Sequence, residues 1–373
     1  MGICHYWQND PELFDAVAAA ALLRIGEFSP QGLSITAWAF ATVSRSDPKL
    51  FHVIAAASLT RVRAFSEQNI ANMAWAYAKA SRNDALLFDA LAVGAVTKID
   101  EFIPQGLSNM VWAYATVNRR ESKLFDAVAA ASLTYVGSFT TQNLANMAWA
   151  FAKIEIYDRI LFDALAAEAL PKFGDFNSLD FAYLMWAFAK VGRHDASLFQ
   201  AAAATVLPRI DHCGTPELGM IAWAFDQADL PSTAKAEKLF AAIVKKALKA
   251  NLIGLDSKCG PQRSDTIEAQ CAELVLQWIP GAMRNRYHQM GRELDIVFQA
   301  ADGSLVNIEI DEVYHRTPRQ RSIDSRRDRL LRRLGVHVVR FDAFDEFGRE
   351  REDLAEALHS SLRAEGILAL FPV

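Results

Sequence analysis

At 373 residues the chain is too long for one ordinary compact core, so an array or a further domain is expected. Hydrophobic residues make up 52% of it, yet no apolar run approaches the roughly 18–20 residues that cross a bilayer, so no membrane partner is expected. A net charge of −5 excludes a generally basic polyanion binder.

The N-terminal Met1-Gly2-Ile3-Cys4-His5-Tyr6 lacks the charged-then-apolar layout of a secretory signal. It also lacks the Ser or Thr that a myristoylation motif carries at position six, and no Arg- and Ser-rich transit segment is visible. The first helical pattern, Pro11 to Ile25, reads as only the second helix of a repeat, which points to a fragment or a mature form. The four cysteines, Cys4, Cys213, Cys259 and Cys271, have neither metal-ligand spacing nor the density of a disulfide framework, as suits a reducing compartment. Cys4 and Cys213 read as small apolar residues.

From there the sequence repeats itself. Trp38, Trp75, Trp112, Trp149, Trp186 and Trp223 stand 37 residues apart. A Leu-Phe pair keeps the same step, with Phe14, Phe51, Phe88, Phe125, Phe162 and Phe199. A third landmark lies ten residues before each Trp: Phe28, Phe65, Phe102, Phe139 and Phe176, with Cys213 in the sixth copy. Fixed self-similarity of this length is the mark of a stacked array in which each unit contacts its neighbours.

Each copy reads as two helices. In the copy from Phe65, helix A is expected over roughly 68–81 and helix B over roughly 84–97. Pro30, Pro104 and Pro216 fall at the start of helix A, where a missing N–H is harmless. The Ser-Arg-Ser-Asp and Ser-Arg-Asn-Asp stretches at 44–47 and 81–84 supply turn and N-cap residues for helix B. Extra residues around Pro231-Ser232-Thr233 mark an altered terminal copy.

Counted from the Phe landmark, positions +5, +8, +9, +10 and +12 of helix A are apolar and form one broad arc, which is expected to be buried. The remaining arc, about 80° wide at 100° per residue, holds +4, +7, +11 and +14. Position +11 is always Ala. Position +7 runs Ile35, Asn72, Asn109, Asn146, Tyr183, Met220, and position +14 runs Thr42, Lys79, Thr116, Lys153, Lys190, Gln227. A constant scaffold that presents one variable polar stripe per repeat is how modular readers of single-stranded RNA assign side chains to successive bases. Asn pairs with base edges, Lys takes a phosphate or a base acceptor, and Tyr183 stacks. The other reading is a solvated surface or a protein-binding adaptor.

After about residue 253 the landmarks stop, and Gly260-Pro261 marks a linker. Residues 293–299 read as a strand, Asp302-Gly303 as a hairpin turn, 305–311 as the partner strand, 322–334 as a basic helix capped by Gly335, and 336–341 as a third strand. Between Arg284 and Arg340 twelve Arg and no Lys face eight Asp or Glu, a local +4 that leaves −9 for the rest. Strand alternation sets Glu309 and Asp311 on one face, and the hairpin brings Asp295 alongside. Such carboxylates are candidate Mg²⁺ ligands for phosphodiester hydrolysis, with His315 as acid, base or phosphate contact. Arg316, Arg326, Arg327 and Arg333 suit a phosphate backbone. The alternative is that the acids pair with arginines in a structural network.

The Asn-Met-Ala-Trp-Ala-Tyr-Ala-Lys block at 72–79 and its copies resemble heptatricopeptide or octotricopeptide repeats. The run Leu294-Asp295-Ile296, Ile308-Glu309-Ile310-Asp311, His315, Arg329 to Gly335 and Val338-Val339 resembles a RAP domain. The two similarities cover about residues 10 to 345. They imply an RNA-binding protein of mitochondrion or chloroplast that acts in transcript processing, stability or translation, together with other RNA-processing proteins. The RAP domain in turn resembles the PD-(D/E)XK and very-short-patch-repair nuclease fold, on which Asp295 and Glu309 match the motif acids. Asp311 stands where that motif usually has Lys, and Asp311-Glu312 replaces the usual Asp-Gly.

The expected fold is mainly α: an α-solenoid of stacked helix pairs, then a small α/β domain of restriction-endonuclease (RAP) type. Its expected parts are a partial repeat at 1–27, the array at 28–253, a linker with a helical entry at 254–290, and the small domain at 291–373. The expected function is sequence-selective single-stranded RNA binding with Mg²⁺-dependent cleavage as a candidate activity. A protein adaptor with a degenerate RAP domain and a DNA-directed nuclease are the alternatives.

Overall fold

The computed structural model describes residues 11–228, 238–239, 242–243, 267–279, 281–288, 292–300, 305–311, 324–325, 328–329, 331–332, 336–343 and 351–367. The chain is a set of helical repeats followed by a small α/β domain, and it divides into two compact units, Met1–Arg193 and His194–Val373.

In the first unit, α1 (Pro11–Arg24) precedes alternating A and B helices. The A helices are α2 (Pro30–Thr42), α4 (Glu67–Lys79), α6 (Pro104–Thr116), α8 (Thr141–Lys153) and α10 (Ser178–Lys190). The B helices are α3 (Pro48–Leu59), α5 (Ala85–Thr97), α7 (Ser122–Tyr135) and α9 (Arg159–Ala169). Local chemistry starts each of them. Ser29, Ser66, Thr140 and Asn177 accept backbone N–H bonds at the starts of A helices, and Asp47, Asp84 and Asp158 do so for B helices. Pro30 and Pro104 occupy the first turn as expected.

Helix A ends earlier than the sequence pattern implies, because the residue at +16 turns left-handed. Ser44, Ser81, Asn118 and Glu155 have φ between 56° and 58°, and Gly192 has φ 73°. The following residue donates its N–H back across the turn, Arg82 to the Tyr77 carbonyl at 2.8 Å and Arg193 to that of Phe188 at 2.9 Å. The arginine at +17 then folds over the helix B phenylalanine. Arg45, Arg82 and Arg119 lie 5.5, 5.1 and 5.8 Å from the ring centres of Phe14, Phe51 and Phe88. Arg45, Arg119 and Arg193 also pair with Asp15, Asp89 and Asp163. These cations serve the array itself.

The core is a column of edge-to-face aromatic pairs 26 residues apart: Phe14–Phe40, Phe51–Tyr77, Phe88–Tyr114, Phe125–Phe151 and Phe162–Phe188, with ring centres 5.0–5.5 Å apart. Tyr77 and Tyr114 donate to the Phe51 and Phe88 carbonyls, and burial pushes both hydroxyls far up. Successive A helices lie directly side by side, α2 on α4, α4 on α6, α6 on α8 and α8 on α10.

The second unit opens with another helix pair, α11 (Ala196–Val206) and α12 (Thr215–Gln227), in which Phe199 meets Phe225 at 5.2 Å and Cys213 is buried as a small apolar residue. Further along are α13 (Ile267–Trp278), β1 (Met283–His288), β2 (Arg292–Gln299), β3 (Leu305–Asp311), β4 (Val336–Asp342) and α14 (Arg351–Ala364). Strand order is β1-β2-β3-β4, antiparallel except for the parallel β3–β4 pair. The three strands read from the sequence are present; β1, rich in Arg and Asn, carries no alternating apolar signal and was not expected. One sheet face packs Ile296, Phe298, Val306, Ile308, Val339 and Phe341 against α13 and α14. The other buries Val297, Leu305, Val336 and Val338 with Leu331. Residues 324–325, 328–329 and 331–332 are helical, within the expected basic helix. Cys4, Pro231 to Thr233, Cys259, Gly260-Pro261, Asp302-Gly303 and Gly335 lie outside the described residues.

Gly192 is the only glycine among the five left-handed +16 positions, so Gly192→Ala should destabilise the protein by about 1 kcal/mol, the steric cost of that conformation less the gain from a stiffer unfolded chain. Urea denaturation monitored by circular dichroism measures it, and Glu155→Gly should shift the midpoint the opposite way.

Candidate nucleic-acid interface

The surface of helix A differs from the expected arc. Position +11 from the second copy on, and the asparagines at +4, are inside. The +11 alanines Ala76, Ala113, Ala150 and Ala187 are fully buried, because they let neighbouring A helices approach. At +4, Asn69 and Asn143 are buried as capping-box residues whose Nδ2 groups donate to Ser34 and Ser108 of the preceding repeat, at 3.2 and 3.0 Å. The Trp at +10, expected in the core, is at the surface: Trp38 is 43% exposed, and Trp75, Trp112, Trp149 and Trp186 are partly exposed.

The outward stripe is therefore +3, +7, +10 and +14, a 4-3-4 spacing that keeps to one line along a helix. It is turned about 50° from the expected arc and shares its +7 and +14 members. Repeat by repeat it reads Gln31-Ile35-Trp38-Thr42, Gln68-Asn72-Trp75-Lys79, Gln105-Asn109-Trp112-Thr116, Gln142-Asn146-Trp149-Lys153 and Leu179-Tyr183-Trp186-Lys190. All of these side chains are exposed or partly exposed. In the second unit, Met220, Trp223 and Gln227 are partly exposed on α12.

The indoles form a ladder across the first unit. Trp38–Trp75 and Trp75–Trp112 are 6.3 Å apart, Trp112–Trp149 is 6.4 Å, and Trp149 continues onto Tyr183 at 5.6 Å. Interplanar angles stay between 30° and 37°, so the rings tile one edge of the stack at constant pitch. Beside the ladder lies a groove of about 480 Å³ lined by Ile35, Trp38, Gln68, Asn72, Gln105 and Asn109, with Ala71 and Gly106 at its floor. Amides from two successive repeats, Gln68 and Asn72 with Gln105 and Asn109, thus converge on one cavity beside Ile35 and Trp38 of the repeat before. Each amide offers both a donor and an acceptor, the pattern that matches a base edge. Cations on the stripe are few: Lys79 and Lys153 are exposed, and Lys190 pairs with Glu155 at 3.4 Å.

In the second unit the three acids stand on the neighbouring strands β2 and β3. The Ile296–Ile308 pair sets the register that puts Asp295 opposite Glu309, on the face away from α13 and α14. Asp295 Oδ2 accepts the Ile310 N–H at 3.0 Å. Glu309 is buried and accepts from Asn307 Nδ2, while Asn307 Oδ1 is buried without a hydrogen-bond partner. Asp311 pairs with Arg340, whose Nε and Nη2 also grip Asp328 at 2.6 and 2.8 Å. Burial opposes the Arg340 charge, but the Asp328 bond and the Asp328, Asp311 and Asp324 charges outweigh it and hold the guanidinium protonated. Asp311 is thus engaged in an ion-pair network, with Arg340 as partner. Among the described residues no three His, Cys, Asp or Glu side chains are grouped to hold a metal ion. His315, Arg316, Arg326, Arg327 and Arg333 lie outside the described residues.

Residues 7–159 match the family model of the RNA-editing substrate-binding complex 6 protein. The match covers under half of the chain, and it takes in α1 through α8, hence the four consecutive indoles Trp38 to Trp149. No curated protein matches the chain. No described helix is long and apolar enough to cross a membrane.

Sequence reading missed the Gln at +3 and the outward Trp. The signal was present: Gln31, Gln68, Gln105 and Gln142 recur every 37 residues, one turn before the +7 residue. It also missed Asp226, which replaces the +13 alanine of every other copy (Ala41, Ala78, Ala115, Ala152, Ala189) and is buried on α12. Asp226 accepts from Arg329 Nε and Nη2 at 3.2 and 3.4 Å, joining the last repeat helix to the helical segment beside the sheet. Arg329→Ala should cost roughly 2 kcal/mol by removing a charged hydrogen-bond partner of a buried carboxylate. The double variant Asp226→Ala/Arg329→Ala should be more stable than Arg329→Ala alone, as a denaturant double-mutant cycle would measure.

Proposed function

We propose that this chain is a single-stranded RNA-binding protein of RNA processing that reads bases with the +3, +7, +10, +14 stripe of its A helices. The observation that carries this reading is the repetition of one amide–amide–indole set, Gln-Asn-Trp, at the same height on α4, α6 and α8, with the amides of α4 and α6 lining one groove. Amides select bases by their edges, and partly exposed indoles offer apolar surface that every base tolerates. The matched family supports it, because that family is named for a complex that binds RNA-editing substrates and the match spans the same helices. The resemblance to octotricopeptide repeats and to a RAP domain supports it from both ends of the chain, and the organellar setting belongs to the same proposal. Protein partners are part of it as well: Leu86, Val93 and Ile160, 68%, 69% and 68% exposed, lie on the B helices α5 and α9, outside the stripe.

In this reading the repeats choose the transcript and the RAP-like domain contacts it. Asp295 and Glu309 present carboxylates on one sheet face, and cleavage through them is a matter for the same experiment. The purified protein is incubated with a random single-stranded RNA pool, with and without Mg²⁺, and scored for retention and for products. Selective retention is expected, and Asn109→Ala should cost about 1–3 kcal/mol in binding and relax the preference at one position. Mg²⁺-dependent products that vanish in Glu309→Ala would make the protein a guided ribonuclease. Retention without products would leave an RNA-binding factor with a structural RAP-like domain. Absence of retention at low salt would overturn the RNA reading in favour of a protein adaptor.

A further inference from the structure

The reading face has a longer period than the repeat. Repeats two and four present the same tetrad, Gln68-Asn72-Trp75-Lys79 and Gln142-Asn146-Trp149-Lys153. Their settings match too. Both A helices start with a capping box, Ser66 with Asn69 and Thr140 with Asn143. Both box asparagines bond a serine of the preceding repeat. Lys98 and Lys172 close the same loop in each, donating to the Phe65 and Phe139 carbonyls at 2.7 and 2.9 Å. Repeat three lies between them with Gln105, Asn109 and Trp112 unchanged but Thr116 in place of Lys. The identical tetrads therefore flank one that differs at +14 alone.

Resting on the RNA reading above, we infer that repeats two and four select the same kind of base, a keto base, with one nucleotide between them, and that +14 decides the selection. Identical side chains on identical backbones have identical preferences. A modular array assigns one base to each repeat, so the two sites lie two nucleotides apart whichever way the strand runs. The ammonium of Lys79 or Lys153 has three donors and no acceptor. Guanine and uracil offer it a carbonyl oxygen, at O6 or O4, whereas adenine and cytosine place an amino donor there. Thr116, which both donates and accepts, makes no such demand.

Lys79 and Lys153 also end their helices, where a cation favours the helix dipole. Thr42 and Thr116 show that the array folds with Thr in that place, so Lys79→Thr and Lys153→Thr are substitutions the scaffold already accepts.

The test is selection of bound sequences from a random single-stranded RNA pool by the full chain and by the two variants. The expected motif has G or U at two positions separated by one. Replacing either by A or C in a defined oligonucleotide should weaken binding about tenfold, the size of one lost base contact. Lys79→Thr should abolish the preference at one of the two positions and Lys153→Thr at the other. A motif whose two positions differ in kind would overturn the inference, as would variants that weaken all sequences equally, which is the behaviour of a phosphate contact. Either result leaves RNA binding intact; loss of all retention by the unaltered chain would sink both readings together.

Discussion

The closeness of neighbouring A helices governs the rest of the repeat array. At +11 and +13 the side chain is alanine throughout the first five copies, fully or almost fully buried at all of them but the partly exposed Ala39, so two helices approach with nothing larger than a methyl group between them. That approach brings the indoles at +10 to 6.3–6.4 Å of each other and lets a capping asparagine reach a serine one repeat back. A larger +11 side chain would part the helices, open the indole ladder and cut the asparagine–serine bonds together. Packing, capping and spacing of the surface stripe are one constraint seen at three levels.

Much of this was legible in the sequence, and the limits have physical causes. Three landmarks in phase fixed the period, the helix pairs and their caps, since proline at N1 and Asp or Ser before a helix act through local backbone chemistry. The strand pair and its acids followed from alternation. The stripe was misplaced by about 50° because alanine and tryptophan are poor witnesses. Alanine tolerates solvent and close packing alike, so the pattern does not say which side of a helix it occupies. Tryptophan is large and largely apolar, yet stacked on its own kind it is satisfied at a surface. Glutamine at +3 would have corrected the angle, being polar, recurrent and one turn from +7.

The arginines teach a related lesson. A count of cations overstates what is offered to a polyanion, because Arg45, Arg82 and Arg119 lie over phenylalanine rings and Arg193 pairs with Asp163. Arg340 is likewise engaged with Asp311 and Asp328. What the stripe presents is amide, indole and an occasional lysine, a surface better suited to discriminating than to gripping. Asp226, one acidic residue in a column of alanines, marks where the repeat pattern yields to the α/β unit, and no periodicity analysis could assign it a partner 103 residues away.

The pairing of Asn69 with Ser34 and of Asn143 with Ser108 gives repeats one to four a period of 74 residues. The capping asparagines of repeats two and four each have a serine behind them, and repeats one and three carry that serine but have glycine, Gly32 or Gly106, where the asparagine would stand. Excising repeat three, for example, would set Asn143 against Ala71 and strand its buried amide at the seam. Lengthening by two copies would leave every seam as it is. Within repeats one to four, growth or shrinkage that keeps every buried asparagine paired therefore runs in doublets.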